Sequence, residues 1–280
     1  MTAADDAPDK DRTRHYWQDR GSYWDRAADG IAEVADRLNQ PLLDVLGIAP
    51  GQAVLDLASG AGEPALSIAR RVGPGGRVTA TDLVPEMLAG AERRAAAAGL
   101  ANIDFRVADM EAMPFGDAAF DRVACRFGIM FTSAPDRALA EARRVLRPGG
   151  RAGFLVWGPR DDTSQFQVFA AASAEVFGAA ADLDLDWPFR FGQAGSLSRL
   201  MAGAEFGGLE EHDLRFEPRI PASVPFWRPQ VEMTFGPLLA RADAQQRQAL
   251  DAALAAGFAQ FRAGDHYQLR LHVRIAVGTR

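Results

Sequence analysis

The chain is short of the side chains that carry covalent and metal chemistry. Its single cysteine, Cys125, in 280 residues excludes a disulfide framework and a metal site built from several thiolates. It reads as a small residue of a buried strand. No apolar run reaches the roughly 20 residues that cross a bilayer. The opening stretch, Met1-Thr2-Ala3-Ala4-Asp5-Asp6, lacks the basic and apolar regions of a secretory leader, so a cytoplasmic location is expected. A basic excess is missing too. With a formal net charge of −6 and with acids and bases interspersed, a phosphate-backbone partner is not expected. No internal repeat is visible, and the length suits one elaborated domain with a full core.

What is present centres on Val54-Leu55-Asp56-Leu57-Ala58-Ser59-Gly60-Ala61-Gly62-Glu63-Pro64, an apolar strand running into a glycine turn that opens a helix. Gly60 and Gly62 carry no Cβ, so the backbone can turn sharply and a ligand can approach it. Pro64 suits a first helical turn. The next apolar run ends in Asp82, where an acid reads the two ribose hydroxyls of a nucleoside. A helix-dipole role ahead of Pro85 is the plainer alternative for that acid. Together these features predict an adenosyl group.

Candidate strands at 53–58, 77–81, 103–107, 120–125 and 151–157 alternate with helical segments at 64–72, 85–98 and 136–146. That alternation predicts an α/β fold, a doubly wound parallel sheet with its ligand at the carboxyl edge. Two later strands complete it, at 210–216 and 267–277. In the last, Leu269, Leu271, Val273, Ile275 and Val277 alternate with Gln268, Arg270, His272 and Arg274, which predicts one buried and one polar face.

The run Gly60 to Ala65 satisfies the dinucleotide pattern G-x-G-x-x-G/A literally, so an NAD-dependent oxidoreductase is one reading. Three neighbours shift it: Asp56, four residues before the first glycine; Asp109, a second strand-end acid placed for an adenine amino group; and the Pro148-Gly149-Gly150 turn. As an ordered set over roughly residues 50 to 160, these resemble the class I S-adenosylmethionine-dependent methyltransferases. The run Arg126-Phe127-Gly128-Ile129-Met130, with Pro135-Asp136-Arg137 and Arg144-Val145-Leu146-Arg147, is similar to the ubiquinone/menaquinone C-methyltransferases and related small-molecule enzymes, departing from the quinone enzymes at Arg126, at Met130 and in its long cap. It lacks the Asn/Asp-Pro-Pro-aromatic run of the amino-methyltransferases.

The resemblance implies a Rossmann-like seven-stranded sheet with its last strand antiparallel and S-adenosyl-L-methionine as cofactor, leaving S-adenosyl-L-homocysteine as product. It implies cofactor contacts from Asp56, Ser59, Gly60, Gly62, Asp82, Leu83, Met87, Asp109, Met110, Glu111 and Arg126. Asp56 either meets the donor or holds the glycine loop by accepting its N–H groups; both readings stand. The division expected is a helical lid at 1–45, a cofactor core at 46–160, substrate-side helices at 161–216, a cap insertion at 217–265 and a final strand at 266–280.

Substrate choice is expected outside the core, with Trp17, Tyr23, Trp24, Met130, Trp187, Phe226, Trp227 and Met233 forming an apolar pocket. Packing of a helical cap is the plainer reading of any one of these side chains. A general base, if the acceptor needs one, would be His15 in the lid or His266 at the mouth of the last strand. His212 and His272 are expected to be structural. The function expected is methyl transfer to carbon or oxygen of a hydrophobic small molecule, aromatic, polyketide-like or isoprenoid, with room for a homodimer. A donor-binding enzyme that no longer transfers methyl, such as a pericyclase, is the reading from another class.

Overall fold

Every residue of β1 (Ala53–Leu57) is buried, as a central parallel strand covered on both faces must be. Around it the structure, a computed structural model describing residues 9–178 and 186–280, builds a seven-stranded sheet. The leader expectation over Met1 to Asp6 lies outside the described residues. The other strands of the sheet are β2 (Arg77–Asp82), β3 (Ile103–Val107), β4 (Phe120–Arg126), β5 (Leu146–Trp157), β6 (Gly207–Phe216) and β10 (Leu271–Thr279), in the order β3-β2-β1-β4-β5-β10-β6. β10 runs antiparallel to both neighbours, with Val273 opposite Trp157 and Leu214.

Apolar residues spaced three and four apart turn α2 (Gly21–Leu46) and α3 (Ala65–Val72) onto one face of the sheet. There Leu38, Leu42, Leu43 and Leu46 pack with Ile68, Val72, Val54 and Ile275. Gly47, at φ 62°, ends α2 in the left-handed conformation that glycine tolerates best. α4 (Pro85–Ala97) lies alongside α2. On the other face α5 (Pro135–Val145) and α7 (Ser196–Gly203) bury Leu139, Val145, Leu197 and Met201 against Leu55, Val123 and Phe154.

A third core stands apart from the sheet. α6 (Ser164–Phe177), α8 (Trp227–Arg241) and α9 (Ala244–Ala259) enclose Phe169, Phe235, Leu254 and Phe258. Beneath them lies a small antiparallel sheet of β7 (Arg219–Pro221), β9 (His266–Gln268) and β8 (Arg262–Ala263).

The expected strand at 267–277 is therefore two strands. The backbone leaves one sheet for the other at Leu269 and Arg270: Leu269 N–H donates to Pro218 O at 3.1 Å, and Arg270 N–H to Ser164 Oγ at 3.0 Å. Its expected polar face is exposed at Gln268 and Arg270 but covered at His272 and Arg274. His272 is buried, its ring nitrogens 2.8 Å from Asp162 and 2.5 Å from Asp213. Arg274 reaches Glu211 at 3.1 Å and Asp213 at 3.0 Å. Opposed charges let this face be covered. The helix expected at the N-terminus is present as α1 (Lys10–Gln18), followed directly by α2.

Candidate functional site: a roofed cleft at the carboxyl edge of the sheet

The turns that follow β1, β2, β3 and β4 converge on one cleft that opens to solvent. Its floor is under local strain. Ala58 (φ 53°) and Phe127 (φ 55°) follow β1 and β4 in a conformation unusual for residues with a Cβ. A Cβ on Gly128 would stand 2.5 Å from the Ala58 Cβ and 2.8 Å from Cys125 Sγ, so only glycine lets the two turns meet.

Asp82 holds the glycine turn. Its Oδ2 accepts from Gly60 N–H and its Oδ1 from Val84 N–H, each at 3.0 Å. Burial nonetheless lifts its carboxyl to a pKa of about 6 against those bonds. Each oxygen keeps a lone pair for a further donor.

Asp56 is different. Ser59 Oγ and Thr81 Oγ1 donate to its backbone carbonyl at 3.1 and 3.0 Å, but nothing donates to its carboxylate, which is wholly buried. Burial raises its pKa to about 8. Of the two roles open to Asp56, holding the loop is thus performed by Asp82. A buried carboxylate without partners is costly unless a cation or donor meets it. Asp56 itself lies just behind the cleft wall, and Gly62 behind the turn, where a Cβ would run into Leu66 of α3.

Ser59, Gly60, Asp82, Leu83, Met87, Asp109, Met110, Glu111 and Arg126 all line the cleft. Two of these acids pair with a cation of the protein itself. Asp109 pairs with Lys10 Nζ at 2.6 Å and accepts from Glu111 N–H at 2.9 Å. Glu111 caps the segment leading into α5, accepting from Ser133 N–H at 2.7 Å and Ala134 N–H at 3.1 Å, and it takes Lys10 at 2.9 Å. Burial opposes its ionisation, yet these partners hold its carboxyl below the usual value.

The roof is helical. Lys10, Thr13 and Trp17 of α1 and Trp24 and Ala28 of α2 face the cleft at helical spacing, and Thr13 Oγ1 donates to Phe131 O at 3.2 Å. Trp17 meets Trp24 and Phe131 edge to face, with centroids 5.7 and 4.9 Å apart. On the inner side Arg94 of α4 donates to Ala61 O at 2.6 Å and pairs with Glu63 at 3.0 Å and Asp29 at 3.1 Å. Lys10, Thr13, Glu63, Arg94, Phe127 and Phe131 were absent from the expected set. The spacing Lys10, Thr13, Trp17 was the available signal for the first two; the reach of Arg94 had none.

Several expected side chains lie elsewhere. Phe226 and Trp227 are packed in the cap's own core, Trp227 stacked on Phe258 at 5.1 Å. Met233 is buried in α8 and Met130 in the core beneath α5, and neither lines the cleft. Trp187 sits behind Phe131, with ring centroids 5.6 Å apart, and does not reach the wall. Tyr23 packs on Gly236 of α8, where a Cβ would come within 2.6 Å of its ring. It joins roof to cap. The two histidines expected as bases are also remote. His266 lies in β9, 3.0 Å from Asp265 and 3.4 Å from Arg219, and His15 is exposed on α1 beside Asp11 O at 2.7 Å. Among the described lining residues there is no histidine, tyrosine or cysteine.

A doubly wound sheet in this strand order, with an acid under a glycine turn at its carboxyl edge, has the architecture in which nucleotide-binding α/β proteins hold their ligands. By sequence, residues 54–150 match the family model described as a methyltransferase domain. Over 104 residues it is 45% identical to a ubiquinone/menaquinone biosynthesis C-methyltransferase of Bordetella avium, covering 37% of this chain and 40% of that one. Over 132 residues it is 42% identical to an uncharacterized protein of Mycobacterium tuberculosis, covering 46% and 47%. The chain thus spans under half the length of the curated relatives it matches. In fold it is similar to the 4+2 cyclase SpnF, with a TM-score of 0.64 at 22% identity over 98% of this chain and 97% of that one. It is also similar to geranyl diphosphate C-methyltransferase from Streptomyces coelicolor, with a TM-score of 0.52 at 18% identity over 88% and 79%.

No helix among the described residues is long and apolar enough to cross a membrane. No group of metal-ligating side chains occurs among them either.

Proposed function

We propose that the chain is an S-adenosylmethionine-dependent methyltransferase of a hydrophobic small molecule. The observation that carries this reading is the pair of acids at the cleft. Asp82 has lone pairs free beside the glycine turn, and Asp56 is a buried carboxylate with no partner of its own. An adenosyl ligand with a charged amino-acid tail satisfies both. Asp82 then takes the ribose hydroxyls and Asp56 the ammonium, while Leu83, Met87 and Met110 bracket the adenine and Asp109 stands near its amino group.

When bound, S-adenosylmethionine supplies an electrophilic methyl group on a sulfonium. The residues of this chain do the rest by position. Trp17, Trp24, Phe127 and Phe131 wall off water and present an apolar surface on which a flat acceptor stacks. The carboxylates on the wall are already held by N–H groups or by Lys10, which favours an acceptor atom that is electron-rich or ionised before it arrives. C-methylation of an activated ring or enol, or O-methylation of an acidic hydroxyl, fits that wall.

A second reading is that the donor only shapes the cleft while another reaction proceeds. The likeness in fold to a 4+2 cyclase runs through roof and cap as well as core, which motivates it. One experiment separates them. Incubation with methyl-labelled S-adenosylmethionine and a panel of polyketide, phenol and isoprenoid acceptors is expected to move label into product. Conversion of an acceptor with no label transferred supports the second reading, and tight binding of NAD with no heat from S-adenosylhomocysteine overturns both.

A further inference from the structure

Three cations line the cleft, and two are spoken for. Lys10 is held by Asp109 and Glu111, and Arg94 has its donors on Ala61, Glu63 and Asp29. Arg126, the last residue of β4, has no hydrogen bond or ion pair to any described residue. Its Nε is buried, and its guanidinium carbon lies 5.5 Å from the centre of the Phe127 ring. Asp56 and Glu63 are near enough to attract it electrostatically, yet neither forms an ion pair with it. A buried carboxyl, Asp56, and a partly buried guanidinium, Arg126, therefore stand near one another without a direct bond between them.

Leaving Nε in that state is costly, because burial strips its water and no acceptor replaces it, while the rest of the guanidinium faces the cleft with no protein acceptor. Burial also pulls its pKa below the ordinary arginine value. The fork of N–H groups on arginine matches a carboxylate or a phosphate bidentately, and of the two the adenosyl ligand of this reading carries only the carboxylate. Both glycine N–H groups of the turn are used: Gly60 N–H goes to Asp82 and Gly62 N–H to Ser59 O at 2.8 Å.

We propose that Arg126 is the specificity-determining seat for the α-carboxylate of the adenosyl ligand, so that the site admits ligands that keep this charge and rejects those that have lost it. This rests on the reading of the cleft as an S-adenosylmethionine site, and it deepens that reading. A consequence is discrimination against decarboxylated S-adenosylmethionine and against the truncated nucleoside methylthioadenosine. The adenosine part of each would find the same pocket. Arg126 would be covered and left unmatched beneath it.

The test is calorimetric and needs no turnover. S-Adenosylhomocysteine and its carboxamide, which differ in one charged group, are titrated into the wild-type chain and into Arg126→Met and Arg126→Lys. In the wild type the carboxamide is expected to bind about 10- to 150-fold more weakly, the range for hydrogen bonds to a charged group. In Arg126→Met the two ligands are expected to bind alike, near the wild-type affinity for the carboxamide. Arg126→Lys keeps the charge without the fork and is expected to fall between. Equal affinity of both ligands for the wild type overturns the proposal whether or not a variant folds, and so does an unchanged preference in a folded Arg126→Met. In either case S-adenosylhomocysteine still binds, so the cofactor reading survives. A wild type that binds neither ligand overturns both.

Discussion

Replacing Asp56 by asparagine is expected to change how stability depends on pH, by an amount that follows from burial alone. In the unliganded protein the carboxyl of Asp56 ionises at about 8, whereas an ordinary aspartate does so at 3.8. Between those values the folded chain holds a proton that the unfolded chain has released. Stability is therefore greatest with respect to this group below about pH 4, and it falls as pH rises until the folded group also ionises. Each pH unit costs about 1.4 kcal/mol, so from pH 5 to pH 7 the wild type loses about 3 kcal/mol that Asp56→Asn does not. Denaturant unfolding of both proteins without ligand, at pH 5, 6, 7, 8 and 9 and constant ionic strength, isolates the term. The difference in unfolding free energy should widen in favour of the variant up to about pH 8 and then stay flat. The same variant should bind S-adenosylhomocysteine far more weakly, because the neutral amide offers the ligand's ammonium no charge. Parallel pH profiles for the two proteins would refute the picture of a buried carboxyl that waits for a cation.

Three further outcomes follow from the geometry. Asp82→Ala removes the acceptor for Gly60 N–H and the expected ribose contact together, and should weaken S-adenosylhomocysteine binding in calorimetry by about 1.5–3 kcal/mol, the range for hydrogen bonds to charged groups. Trp227→Ala empties part of the cap core, so it should lower stability by about 3–5 kcal/mol in chemical unfolding while leaving ligand affinity nearly unchanged. Gly236→Ala drives a methyl group into the Tyr23 ring and should cost about 1–3 kcal/mol, with faster tryptic cleavage in α1 as its signature.

The sheet was legible because each strand of the core is a short apolar run between helical periods, and the glycine turn and strand-end acids mark its carboxyl edge without reference to distant residues. The cleft-lining positions of Ser59, Gly60, Asp82 and Asp109 were legible for the same reason: they lie at or just past the ends of their strands. The substrate side was not. An aromatic residue in α8 has the same local sequence whether it faces a cleft or a core, and Trp227 is claimed by Phe258 and Tyr267, which lie later in the chain. The break at Leu269 and Arg270 was hidden because the apolar alternation continues through it, while the turn depends on Ser164 and Pro218, about 100 and 50 residues earlier. Histidine chemistry was overvalued: of the four rings, His272 is deeply placed, but between two carboxylates rather than at the cleft.

The roof over the cleft is fastened at both ends by unlike contacts. At the outer end Lys10 pairs with Asp109 and Glu111, with about a third of its side chain exposed. At the inner end Arg20 donates to Thr234 O at 3.2 Å and covers the Tyr16 ring at 3.6 Å, while Tyr23 lies on Gly236. Salt weakens the first kind of fastening and leaves the second largely intact. The roof should accordingly swing from its cap end like a hinged door, with the latch at Lys10. Donor exchange should then quicken as ionic strength rises, even where equilibrium affinity changes little.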